Sequence, residues 1–200
     1  MLEYAQTAWM VIVSTSIVVL GLSIPELASG NPASYGILGQ KAPALQVDEW
    51  TGADGKKLDA PRLVDHKGKL IYLYCFQSWC PGCHSSGFPA LAKLSDTFKD
   101  NENIVFLAVQ TVFEGHAVNT AAKIPEIRKK YGLQFPIGHD PGSKASGNVS
   151  TVMRSYRTGG TPWTILIDPE GTVIFNDFHI DTDRAIHDIR QLLEKAGTGS

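Results

Sequence analysis

Seven consecutive apolar residues, 70–76 (LIYLYCF), constrain this 200-residue chain more than any other stretch. A strand with one wet face alternates apolar and polar side chains. An unbroken, aromatic-rich run of strand length belongs to a strand covered on both faces. The sequence SWCPGCHSSGFP (78–89) follows at once. Beyond it Phe88, Leu91, Leu94 and Phe98 recur at spacings of three and four, which predicts an amphipathic helix over 82–99. Pro89 lies inside that helix and removes one backbone donor, so a kink is expected. Two of the chain's three cysteines, Cys80 and Cys83, therefore sit where a buried strand gives way to a helix.

The pattern continues in the same style. NIVFLAV (103–109) reads as a second buried strand. Ala121, Ile124, Ile127 and Tyr131 share one face of a helix over 120–131 that ends near Gly132. Residues 132–160 are rich in Pro and Gly and read as loop. WTILID (163–168) and TVIFNDF (172–178) flank Pro169-Glu170-Gly171 as a hairpin. Ala185, Ile186, Ile189, Leu192 and Leu193 mark a C-terminal helix, capped by Asp181 or Thr182. Before the first buried strand, residues 37–69 carry short apolar groups between turn signals, consistent with a hairpin or two short strands. A strand–helix–strand connection makes the first two core strands parallel, and the last two form an antiparallel hairpin. The result is an α/β domain.

The N-terminus is a separate object. Residues 8–24 hold no charge and are closed by Pro25, and a Pro/Ser/Gly/Asn stretch follows. We read 1–30 as a signal peptide or membrane anchor, 31–36 as a linker and 37–200 as the domain. Ala28-Ser29-Gly30 suits cleavage, whereas the n-region lacks the usual positive charge. Either outcome exports the body of the protein. Net charge is −2, and its excess lies in Glu3 and Glu26, so the remaining residues balance. That excludes a dedicated nucleic-acid surface and steering by net charge.

A C-x-x-C-H spelling admits a dithiol redox pair, haem attachment or metal binding. Position favours the first. Free N–H groups in a helix's first turn stabilise a thiolate, which makes Cys80 the attacking sulfur and Cys83, one turn on, the resolving one. Pro81 fits the first helical position, where its missing donor is not needed. A zinc site would need two further ligands at similar spacing, and no second C-x-x-C or H-x3-H exists. A haem site would use His84 with Met153, His116 or His139 opposite, on a mostly helical domain that this pattern does not describe. His84 is read as a solvent-facing helix residue that tunes the thiolate. Thr161-Pro162, directly before a strand, is either a cis prolyl turn or an ordinary trans proline at a strand start. Cys75, on the buried strand, reads as a core residue. No metal and no cofactor is called for.

Trp79-Cys80-Pro81-Gly82-Cys83 after a buried strand, Pro89 in the next helix and Gly160-Thr161-Pro162 before a hairpin-and-helix end resemble the thioredoxin superfamily. Gln40-Lys41-Ala42-Pro43, Lys67-Gly68-Lys69, Phe135-Pro136-Ile137 with Asp140, and Ile167-Asp168-Pro169-Glu170-Gly171 resemble its TlpA/ResA-like branch of exported thiol–disulfide oxidoreductases. The resemblance implies a thioredoxin fold over about 37–196: a central mixed sheet flanked by helices, an N-terminal strand extension and a central insertion within about 111–150. It implies a cis Pro162 beside the disulfide, Thr161 offering backbone hydrogen bonds to an extended substrate, and Trp79 shielding the pair. Two positions depart from the pattern. Gly87 stands where many relatives carry Glu, and Tyr74 stands where thioredoxins keep a buried acid.

The function expected is reduction of protein disulfides through a mixed disulfide. Protein thiols and disulfides would be the substrates and a membrane-bound donor the source of electrons. The N-terminal segment would supply membrane attachment if retained. The alternatives are a protein disulfide oxidant or isomerase, a peroxiredoxin-like peroxidase, and a metal- or haem-handling module. A peroxidatic cysteine calls for a nearby Arg, and none lies between Arg62 and Arg128.

Overall fold

The computed structural model describes residues 35–197. The apolar run at 8–24 and most of the expected linker lie outside the described residues. Tyr35 and Gly36, the last two linker residues, touch the domain: Tyr35 meets Trp163 edge-on and the Gly36 N–H donates to the Arg157 carbonyl at 2.8 Å.

The core strands are β3 (Leu70–Phe76) and β4 (Ile104–Thr111), parallel to each other. β6 (Trp163–Ile167) runs antiparallel to β3 on its other side, and β7 (Val173–Asp177) completes the hairpin. On the far side of β4 lie β5 (Ile137–Asp140), then β1 (Glu49–Thr51) and β2 (Lys57–Leu58). The sheet order is β2-β1-β5-β4-β3-β6-β7. The β1–β2 hairpin, the parallel core pair and the β6–β7 hairpin all match the sequence expectation, and the whole is a mixed sheet with helices.

β3 is buried along its full length, as its composition dictates. Its alternate residues feed two separate cores. Tyr72, Tyr74 and Phe76 face α1 (Phe88–Thr97), α2 (Ile124–Tyr131) and α4 (Thr182–Gly197). Ile71, Leu73 and Cys75 face the N-terminal segment around Leu45, Val47 and Trp50, and α3 (Thr151–Ser155) with Tyr156. Each large apolar side chain buried this way contributes roughly 1.5–3 kcal/mol. α2 stops at Gly132, whose φ of 67° caps the helix in the left-handed conformation. Asp181 accepts from the Arg184 N–H at 2.8 Å and caps α4.

Two elements correct the sequence reading. Residues 137–140 were expected as loop and form the four-residue strand β5, inserted with α2 in the region expected to hold the insertion. Gly138 there lies opposite Trp50 of β1, and a Cβ on it would come within 2.9 Å of the indole. The glycine that disguises the strand is the one that lets Trp50 lie across it. The short α3 also falls in the expected loop, capped by Ser150, whose hydroxyl accepts from the Met153 N–H. Among the described residues no helix is long and apolar enough to cross a membrane.

Candidate active site

The chain leaves β3 through Gln77 and Ser78 and turns into a helix at Pro81. That turn is braced by a polar cluster. Asn119 accepts from the Ser78 N–H and hydroxyl at 2.8 and 2.9 Å, and its amide donates to Gln77 Oε1 and to the Glu114 and Gly115 carbonyls. Gln110 at the end of β4 donates to Ser78 Oγ. The loop after β4 is thereby tied to the loop that carries Trp79 and Cys80. Nothing in the sequence marks this cluster, because its two halves, 77–78 and 110–119, are separated by more than thirty residues.

The kink expected at Pro89 is a wide π turn over Cys83–Gly87, directly before α1. The Phe88 N–H reaches the Cys83 carbonyl, one residue further back than an α turn would take it. Pro162 packs against this turn, and the Thr161–Pro162 peptide bond is cis. A Cβ on Gly82 would lie 3.2 Å from the Pro162 ring and one on Gly87 2.9 Å from it. The two glycines thus let the helix start lie on the proline.

Cys80 and Cys83 are both free thiols in this structure. The Cys83 N–H donates to Cys80 Sγ at 3.2 Å, and Cys80 Sγ donates to the Thr161 carbonyl at 3.3 Å. The Cys80 thiol is lowered to about 5. Its main cause is hydrogen bonding from the Cys83 side chain. Burial opposes that, and the Thr161 side chain and the N–H groups of Cys83 and Gly82 add to it. Cys83 is fully buried and moves the other way, pushed far up by burial first and then by Cys80. The pair therefore presents one thiolate and one retained proton at neutral pH, the division of labour that attack and resolution require. Trp79 stays 46% exposed beside the pair, its indole nitrogen against Gly115.

His84 is not the solvent-facing residue expected. Its Nε2 lies 2.7 Å from the Ser78 carbonyl, which can only accept, so Nε2 carries the proton. Its Nδ1 lies 2.7 Å from the Tyr131 hydroxyl. The imidazole pins the turn to α2, and His84 is absent from the groups acting on Cys80. Both ring nitrogens are thus engaged within the protein. Arg128 is likewise committed, donating to the Leu133, Phe135 and Thr51 carbonyls. Among the described residues no three His, Cys, Asp or Glu side chains gather as a metal site.

The two departures from the thioredoxin pattern turn out to be one feature. A Cβ on Gly87 would fall 2.0 Å from the Tyr74 hydroxyl. The phenol occupies the space that a side chain at 87 would need, and only glycine leaves it free. Cys75 lies in the opposite core from Cys80 and Cys83 and cannot join them.

Comparison with known proteins agrees with this architecture. The AhpC/TSA family model matches residues 38–176. The thiol-disulfide oxidoreductase ResA of Bacillus cereus is 29% identical over 137 residues, 68% of this chain and 67% of the relative. ResA of Bacillus subtilis is 28% identical over 160 residues, 80% of this chain and 78% of the relative. Among solved structures, a thioredoxin-like superfamily protein superimposes with a TM-score of 0.66 at 32% identity, covering 76% of this chain and 96% of that one. A thiol-disulfide isomerase from Corynebacterium glutamicum gives the same TM-score at 25% identity, covering 78% and 96%. A buried strand, a dithiol at the helix start and a proline packed beside it, matched over most of the domain, make the chain a member of the AhpC/TSA family built on the thioredoxin fold.

Proposed function

We propose that this thiol–disulfide oxidoreductase reduces protein disulfides outside the cytoplasm, with Cys80 attacking and Cys83 resolving. One observation carries the reading: two thiols three residues apart are driven in opposite directions, Cys80 down to about 5 and Cys83 far up. The Cys80 thiolate attacks a substrate disulfide, forms a mixed disulfide and expels one substrate thiolate. Cys83 then attacks Cys80 Sγ, the second substrate sulfur leaves, and the enzyme keeps the Cys80–Cys83 disulfide. Placing the resolving thiol directly beneath the attacker favours rapid release of reduced substrate, which is why reduction leads over isomerisation.

Supporting roles follow from position. Trp79 offers an exposed aromatic face beside Cys80, and Pro81 and Gly82 set the turn. His84 fixes that turn to α2, while Thr161 and Pro162 flank the sulfur where a substrate chain would lie. Each turnover consumes two electrons, for which a membrane-bound donor is the proposed source. The uncharged run at 8–24 supports export, as a removed signal or a retained anchor.

The oxidising direction has one observation in its favour. A thiolate stabilised as strongly as Cys80 favours the reduced form and raises the potential of the pair. Equilibration with glutathione separates the two. A potential near the about −270 mV of a reducing thioredoxin supports the reductase, and one near the about −120 mV of a strong oxidant overturns it. Thiol trapping in cells should find the pair mostly reduced.

A further inference from the structure

Cys80 lies at the end of one tight turn and the start of another. Its N–H donates to the Gln77 carbonyl at 3.2 Å, which closes a β-turn with Ser78 and Trp79 at its centre. Its carbonyl accepts the His84 N–H at 3.2 Å, which closes the first turn of the helix. The His84 side chain also reaches back to the β-turn, where its Nε2–H donates to the Ser78 carbonyl at 2.7 Å. One residue thus holds the carbonyls on both sides of Trp79. The other polar groups of Ser78 belong to the segment after β4. Asn119 takes its N–H, and its hydroxyl meets Asn119 Oδ1, the Val118 carbonyl and the Gln110 amide. The carbonyl is left to the imidazole.

The imidazole is itself aimed. The Tyr131 hydroxyl, 2.7 Å from Nδ1, donates to it and keeps the ring proton on Nε2. Tyr131 is stacked on Phe88, with ring centroids 4.6 Å apart. A run of direct contacts therefore leads from α2 through Tyr131 and His84 to the peptide that precedes Trp79. Cys80 Sγ, two residues on, lies between the Cys83 N–H at 3.2 Å and the Thr161 carbonyl at 3.3 Å. Such bonds weaken steeply as their angle falls, so a rotation of the β-turn would take the sulfur off the helix N–H groups.

We propose that His84 is a positioning residue for Cys80: by clamping the Ser78 carbonyl to the helix start it keeps the attacking sulfur aimed at the N–H groups of the first turn, and it acts through that bond rather than through charge. The lowered Cys80 thiol agrees with this, because the Gly82 and Cys83 N–H groups contribute to it whereas His84 makes no direct contribution.

The inference rests on the dithiol reading above, and one variant series separates the two. The readout is the pH midpoint of Cys80 alkylation by iodoacetamide in the full-length reduced protein, located by mass spectrometry. His84→Gln carries no charge but can place an amide N–H where Nε2–H was, whereas His84→Asn can serve Tyr131 and is too short for Ser78. His84→Ala loses both contacts. His84→Asn and His84→Ala should raise the midpoint by at least about one pH unit, and His84→Gln should bring it most of the way back to the wild type. The comparison of Gln with Asn decides the case even if the alanine variant fails to fold. Equal midpoints for those two would overturn the clamp: if both are raised the imidazole acts by its charge, and if neither is raised Cys80 is aimed without it. A wild-type midpoint near 8.5, the usual thiol value, would instead overturn the dithiol reading on which the clamp depends.

Discussion

Cys75 and Cys80 stand five positions apart and are almost equally hidden, at 0% and 7% exposure, yet the fold treats them oppositely. Cys75 ends up in the core behind the sheet, where burial drives its thiol far up, helped by Asp140. Cys80 sits on the other side at a helix start, where hydrogen bonds lower it to about 5 against an opposing burial penalty. Concealment alone therefore does not silence a cysteine. What separates the two is whether donors are aimed at the sulfur, and whether a substrate can approach along the helix start.

The contrast can be broken most directly by removing each sulfur. Cys80→Ser should reduce disulfide-reducing activity by at least about a thousandfold in an insulin-reduction assay, because the nucleophile is gone. Retention of activity would mean that another thiol attacks. The next effect is selectivity. At pH 7 iodoacetamide should label Cys80 more than a hundredfold faster than Cys75 in the folded reduced protein, because burial holds the Cys75 thiol far above the ordinary range. The Cys80 labelling rate should rise as pH climbs through about 5 and then level off. A midpoint near 8.5, the usual thiol value, would remove the distinction.

Stability provides a third test, with a defined sign. Below about pH 5 both folded and unfolded states hold the Cys80 proton, so the thiolate contributes nothing. Between about 5 and the unfolded thiol value near 8.5 only the unfolded state holds it, so stability rises with pH across that window. The contribution is complete above it and is lost as pH falls back through 5. Cys80→Ala should flatten this rise in urea melts at a series of pH values, whereas Cys75→Ala should leave it in place.

Smaller effects sharpen the picture of the space beneath the pair. Gly87→Ala should destabilise by about 1–3 kcal/mol through overpacking against Tyr74 and Pro162, and Tyr74→Phe in the same chain should recover part of that loss. Strict additivity of the two would show that residues 74 and 87 do not share the site. Cys75→Ala should cost no more than about 2 kcal/mol in urea melts and leave insulin reduction unchanged.

Local pattern carried much of the molecule. The apolar run 70–76 required a strand buried on both faces, and the spacing of Phe88, Leu91 and Leu94 required a helix after it. The junction between them required that Cys80 meet helix N–H groups. These readings held because each depends on neighbours within a few residues. Where the reading failed, distant partners decided. Gly138 looked like loop until Trp50 lay across it. His84 looked solvent-facing until Tyr131 and the Ser78 carbonyl took its nitrogens. The kink at Pro89 was legible, but its form as a π turn packed on Pro162 was not.

The sequence by itself determined the alternation of buried strands and amphipathic helices, the dithiol and its place at a helix start. All of these follow from backbone geometry and short-range periodicity. Only the tertiary structure decided that Cys75 and the Cys80–Cys83 pair fall in separate cores. It also decided that Tyr74 and Gly87, thirteen positions apart, are one site. Two side chains cannot occupy the same volume, and the glycine's missing Cβ is where the phenol fits.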